Sequence, residues 1–222
     1  DTFFFFFLSD IPMFILMGTF AFAAGISKRL FKTAYAWIGH RRGGLTVATV
    51  FACAGFGAIC GSSTATAATM GKIALPEMKK YKYDDTLATG TVAAAGTLGI
   101  LIPPSTVLII YGILTEQSIG KLFVAGILPG IFLSILFAAT VVFLCWRNPA
   151  IGPPGAPTSF REKLKSLTGI IEALLLFLLA IGGLFLGWFS PTQAGAIGAG
   201  GALLIGLARR KLSWQSFVAA GR

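Results

Sequence analysis

Charge is scarce in this sequence. Asp, Glu, Lys and Arg make up 12% of its 222 residues, against 55% hydrophobic residues; a soluble domain carries roughly 25% charge. That balance excludes a soluble globular fold and points to lipid as the solvent. Histidine is scarcer still, since His40 stands alone. An intramembrane enzyme needs a Ser/His pair, paired aspartates or a metal cluster, so the chain is not read as an enzyme. Cys53, Cys60 and Cys145 all lie in apolar stretches and form no CxxC. They read as small buried hydrophobes, with no disulfide framework, transition-metal site or organic cofactor implied. A basic n-region and a small-residue cleavage site are also missing behind Asp1, so no signal peptide is expected. The start on Asp1 and the finish on "AAGR" read as a piece of a longer polypeptide.

What is present is base, in clusters. Lys and Arg total 18 against 8 Asp and Glu, a net charge of +10. The clusters separate long apolar runs, which is a topology signal and not a nucleic-acid surface, so no nucleic acid is expected as a partner. About 20 apolar residues cross the hydrocarbon. On that measure the chain is an all-α polytopic membrane protein in contact with the lipid bilayer. Residues 1–26, which include the Phe3 to Phe7 run, supply a transmembrane helix, and 27–43 a basic amphipathic helix lying in the interface. A transmembrane helix follows over 120–146, then a cytoplasmic loop over 147–166 and two further transmembrane helices over 167–208. Cytoplasmic loops are enriched in Lys and Arg. With Arg209, Arg210 and Lys211 inside, 17 of the 18 basic residues, Arg222 included, fall on the cytoplasmic side and only Lys121 lies outside.

Residues 43–71 carry no charge, and both flanks are basic. A segment that begins and ends on one side crosses an even number of times, yet 29 residues are too few for two spans. Residues 44–76 are therefore expected to form a re-entrant helical hairpin that dips to mid-membrane and returns. Its turn falls at 60–66, where "GSSTATAATMG" (61–71) begins. Glycine permits the reversal, and the hydroxyls can cap the returning arm. Non-helical backbone at that depth is tolerated only where it is buried in protein or lines a watery cavity.

The window 87–114 contains "GTLGILIPPSTVLIIYG". Pro103 and Pro104 have no N–H for the carbonyls of Gly99 and Ile100, and their rings clash with the preceding turn. The helix is expected to split into 87–98 and 106–114, with Ser105 or Thr106 capping the second half. Free carbonyls and hydroxyls are oxygen ligands for an alkali cation, and helix N-termini face anions. Between Thr86 and Trp146 the only charges are Glu116 and Lys121. A proton carrier keeps an acid or histidine relay in its spans, and Glu172, near a cytoplasmic end, is a poor candidate. Sodium held by neutral oxygens fits better than protons. Gly126 and Gly130, and Gly183 and Gly187, sit at GxxxG spacing and permit close helix approach.

With these two elements together, the sequence resembles the large membrane subunit of tripartite ATP-independent periplasmic (TRAP) transporters. The resemblance rests on "GISKRLF…WIGHRRGGL" (25–45), "GSSTATAATMGKIALPEM" (61–78), "GTLGILIPPSTVLIIYGILTEQSIGKLFVAGILPG" (96–130) and "FSPTQAGAIGA" (189–199). It implies a sodium-driven, elevator-type secondary transporter, ion transporter superfamily-like, multi-pass in the bacterial inner membrane and importing an organic anion. It also implies a periplasmic binding protein that delivers the substrate and a small four-helix membrane subunit that braces the scaffold. The hairpin (44–76) and broken helix (87–114) would belong to the moving transport domain, and the amphipathic helix would be its arm. By this resemblance Ser62, Ser63, Gly99, Ile102, Pro104 and Ser105 would line a sodium site, together with Ile100, whose carbonyl Pro104 cannot bond. Ser63, Thr66 and Thr106 would line one wall of the substrate site. Many relatives carry an Asp or similar polar residue early in the returning arm, where "TATAATMG" has only hydroxyls. The family's subunit is a longer chain built of inverted repeats, so this sequence would hold about half a site. C4-dicarboxylate, sialic acid and similar carboxylates all remain open as substrate. An ion channel with the re-entrant loop as filter is the alternative reading, although no symmetric filter repeat is visible.

Overall fold

The computed structural model describes residues 10–209, and these are helical with no strand among them. The expectations for Phe3 to Phe7, Arg210, Lys211 and Arg222 lie outside the described residues. Among the described residues nine helical elements follow one another. They are α1 (Asp10–Ala23), α2 (Ile26–Ile38), α3 (Gly44–Cys60), α4 (Ser63–Lys80) and α5 (Asp85–Leu101, with an irregular turn at Thr97), followed by α6 (Thr106–Leu114), α7 (Ile119–Arg147), α8 (Phe160–Phe185) and α9 (Pro191–Ala208). Of these, α7, α8 and α9 are long and apolar enough to cross a membrane singly. Two bent pairs pass the same test together: α1 with α2, bent by 63°, and α5 with α6, bent by 42°.

The bend between α1 and α2 follows from Gly25, whose φ of 74° is left-handed and open to glycine without strain. Beyond it, α2 buries Ile26, Leu30 and Phe31 and leaves Lys28 and Lys32 exposed, one apolar and one basic face. At the centre of the molecule lies α3. It is apolar nearly all round and correspondingly buried nearly all round. Phe14 of α1 and Phe123 of α7 meet edge to face at 6.2 Å beside it, with Phe56 and Leu98 in the same core. By contrast α7 turns Leu128, Phe132 and Trp146 outward, a surface suited to lipid or to a protein partner.

The helix ends differ from the sequence reading in several places, and α2 stops at Ile38, short of 43. The returning arm of the hairpin does not stop at 76 but runs through Pro76 to Lys80. Pro76 is exposed, so the carbonyl it deprives can turn to water, while Ala74 and Met78 anchor the arm. The first half of the broken helix begins at Asp85, where Asp84 accepts from the Leu87 N–H at 3.0 Å as N-cap, and it ends at Leu101 and not at 98. Proline restricts the residue before it, and Ile102 is accordingly extended (φ −82°, ψ 124°). The helix stops one residue before the rings begin, so they meet no preceding turn. Finally, the loop after α7 is already helical from Phe160, because Ser159 and Glu162 form a capping box.

One end of the bundle gathers the basic segments. The N–H of Gly43 donates to Gly152, that of Gly155 to Gly39 and that of Asp84 to Ile151, at 2.9–3.0 Å. The Leu45 N–H donates to the Tyr83 hydroxyl at 3.2 Å, joining the start of α3 to the end of α4. Both ends of the hairpin therefore lie at the same end of the molecule. Nearby, Glu172 of α8 is forked between Arg29 of α2 and Arg209 at the end of α9.

Candidate functional site

Far from that basic end, four helix termini converge. Gly61 closes α3 in the left-handed region (φ 66°) and Ser62 opens α4 as N-cap, accepting from the Ala65 N–H. Against this tip lies the break in the α5–α6 pair, residues 102–105, where the Pro103–Pro104 peptide is cis. Ser105 opens α6 as N-cap, accepting from the Leu108 N–H at 3.3 Å. Two carbonyl ends and two N–H ends thus meet at one place, so both a cation and an anion find partial charge of the right sign there.

The two elements are bonded directly. The Thr106 N–H and hydroxyl both donate to the Gly61 carbonyl, at 3.2 and 3.0 Å. Backbone also touches backbone. A Cβ on Gly57 would sit 2.8 Å from the Gly99 Cα, and one on Gly99 would sit 2.7 Å from the Ser62 carbonyl and from Thr66 Oγ1. A Cβ on Gly61 would lie 2.7 Å from the Pro104 carbonyl. The fully buried Thr66 hydroxyl donates back to the Ser62 carbonyl at 2.7 Å, which fixes the first turn of α4.

Of the residues singled out from sequence, Ser62, Thr66, Gly99, Pro104 and Thr106 come together at this junction. Ser63 follows Ser62 as the first residue of α4 and is half-buried. Ile102 packs instead toward α7, where a Cβ on Gly130 would meet its side chain at 2.6 Å. Ser105 is buried and its hydroxyl is engaged, because it donates to the Ile100 carbonyl at 2.5 Å while capping α6. The Ile100 carbonyl, which Pro104 leaves without a helical donor, accepts that bond with one of its two lone pairs. Among the described residues the carbonyls of Gly99, Ile102 and Pro104 receive no hydrogen bond. A buried carbonyl without a donor costs about 1–3 kcal/mol unless another group satisfies it.

Sequence reading missed Gly57 and assigned no site role to Gly126 and Gly130. A Cβ on Gly126 would meet the Leu101 carbonyl at 2.8 Å, so this GxxxG pair seats the broken segment against α7. Its spacing was the available signal. Gly57, in "GFGAICG", gave none, because only its partner Gly99 explains it.

The sequence model of the family described as "Tripartite ATP-independent periplasmic transporter, DctM component" matches residues 5–220. The chain belongs to this family of TRAP transporter permeases. It is 43% identical over 193 residues to the C4-dicarboxylate TRAP transporter large permease protein of Pseudomonas aeruginosa, which covers 86% of this chain and 44% of that protein. It is 36% identical over 212 residues to the sialic acid TRAP transporter large permease of Vibrio cholerae, 95% of this chain and 49% of the relative. It is 36% identical over 189 residues to the ectoine/5-hydroxyectoine large permease of Ruegeria pomeroyi, 85% of this chain and 44% of the relative. The chain spans less than half the length of these relatives. The family consists of membrane transporters and not enzymes, in keeping with the all-helical, apolar architecture.

Proposed function

We propose that the full-length permease containing this chain imports an organic carboxylate across the bacterial inner membrane, driven by sodium, and that the hairpin tip and broken helix form half of its ion and substrate site. The observation that carries this reading is the set of unpaired carbonyls at Gly99, Ile102 and Pro104, set beside the N-termini of α4 and α6. Carbonyl oxygens suit a hard alkali cation, and helix N-termini suit a carboxylate. Ser62 and Ser63 complete the neutral oxygen set for sodium, while Ser63, Thr66 and Thr106 stand on the substrate side. In this scheme Ser105 caps α6 and holds the Ile100 carbonyl, whose second lone pair stays available to the ion.

The relatives named above are permeases for C4-dicarboxylate, sialic acid and ectoine. All three compounds carry a carboxylate, the group the two N-termini would share. The bond from Thr106 to Gly61 ties the tip to the broken helix, which supports an elevator-type motion of both as one body. Residues 44–80 and 85–114 would then move as a transport domain while α1, α8 and α9 belong to the scaffold and α2 acts as the arm. A small four-helix membrane subunit and a periplasmic binding protein would complete the transporter. A channel would need a filter that opens between these elements, and their direct bonding disfavours it.

The test is uptake by the full-length permease, reconstituted with its membrane subunit and binding protein, under imposed gradients. An inward sodium gradient should drive accumulation, and a proton gradient without sodium should not. Uptake driven by protons alone, or unitary currents without the binding protein, would overturn the reading.

A further inference from the structure

On the flank of the arm helix lies a cavity of about 550 Å³, between the end of α2, the start of α3 and the last turns of α7. Trp37, Ile38, Val47 and Val142 form its apolar walls, and Arg41 and Arg42 stand at its mouth. No acidic residue lines it. Among the described residues neither guanidinium has an ion pair or hydrogen bond, whereas Arg29 and Arg209 are both held by Glu172. The Gly44 N–H is spent on the Arg41 carbonyl and the Leu45 N–H on Tyr83, so the two arginines supply the attraction for an anion. Trp37 is 42% exposed and Val142 51% exposed, an open apolar surface continuous with unpaired charge.

A second cavity, about 390 Å³, lies on the other side of Trp37 and Ile38, against Leu30, Phe51 and Ile170. Its one polar lining residue, Thr33, donates its hydroxyl to the Arg29 and Ser166 carbonyls, which leaves the walls apolar. Two apolar troughs flanking a tryptophan, with paired arginines at one mouth, match a two-chain amphiphile with an anionic head. We propose that this groove binds an anionic phospholipid of the cytoplasmic leaflet, with Arg41 and Arg42 on its phosphate and its acyl chains on either side of Trp37. Interfacial basic pockets between membrane helices take such headgroups, and tryptophan anchors at the same depth. The site is independent of what the permease carries. A lipid held there would grip the arm to α3 and α7.

The test uses the full-length permease with its membrane subunit, probed by native mass spectrometry against phosphatidylglycerol and phosphatidylcholine. Phosphatidylglycerol should be retained at least roughly 10-fold better, a preference the paired charges supply. Arg41→Gln with Arg42→Gln should weaken phosphatidylglycerol retention roughly 30-fold, two arginines' worth of attraction, and leave phosphatidylcholine unchanged. Arg41→Lys with Arg42→Lys should keep most of the retention, and Arg161→Gln with Lys163→Gln, outside the groove, should change nothing. Equal retention of the two lipids overturns the proposal, as does retention unaffected by the glutamine pair. Displacement by inorganic phosphate at comparable concentration makes this a free-anion site and overturns it too. Loss of the membrane subunit from the glutamine pair, with lipid retention intact, makes it a protein interface and does the same.

Discussion

At Gly99 the site depends on the absence of a single carbon. The residue is buried where a Cβ would meet the Ser62 carbonyl and the Thr66 hydroxyl at 2.7 Å, and neither can retreat without unwinding the first turn of α4. Gly99→Ala should therefore lower sodium-dependent uptake by the full permease about 100-fold, the scale expected of a misplacement near 1 Å. Gly90→Ala, with nothing within 4 Å of its Cβ, should leave uptake unchanged. Ser105→Ala removes a cap and strips the Ile100 carbonyl of its donor at once, and should cost about 1–3 kcal/mol, read as a fall in melting temperature. The prolines made the break legible in sequence, because a missing N–H is a property of the residue alone. The capture of Ile100 by Ser105 was not legible, since a hydroxyl directly after the rings can turn either forward or back. Gly57 was equally hidden, because its reason lies 42 positions along the chain at Gly99.

The hairpin is the element whose placement the sequence carried best. An uncharged run between two basic flanks predicts that its ends lie together, and the Leu45–Tyr83 bond joins them. The Tyr83 phenol is pushed up from 10.0 to about 12, mainly by burial and against the lowering effect of the Leu45 N–H. Because the folded protein favours the neutral phenol, the stability it contributes is intact below pH 10 and is lost as pH rises toward 12. Tyr83→Phe should flatten that alkaline fall in melting temperature and cost about 1 kcal/mol at neutral pH for the lost hydrogen bond. The clamp made by Glu172 is not legible in sequence, since its partners lie 143 and 37 residues away. In the fold Glu172 clamps α2, α8 and α9 together. Glu172→Gln leaves Arg29 partly buried and unpaired; with Arg209 about half exposed, the cost should be about 1–3 kcal/mol. Thermal unfolding of the full permease measures it, and Glu172→Asp should recover part of the loss.

At the scale of the whole molecule, the chain presents one junction of four helix ends and less than half the length of its relatives. The TRAP family was legible because its blocks pair a glycine-tipped hairpin with a proline break, two features that make physical sense only together. The substrate was not legible, because the described junction offers neutral oxygens and N–H ends without a side-chain charge. Coupled uptake, as proposed, rests on sodium binding by the hydroxyls at the tip. The most direct measurement is sodium-dependent uptake by the reconstituted full-length permease carrying Ser62→Leu or Ser63→Leu, with membrane insertion checked in parallel. Sodium-driven uptake should be abolished while insertion stays normal; unchanged sodium coupling in both variants would rule out sodium binding by these hydroxyls.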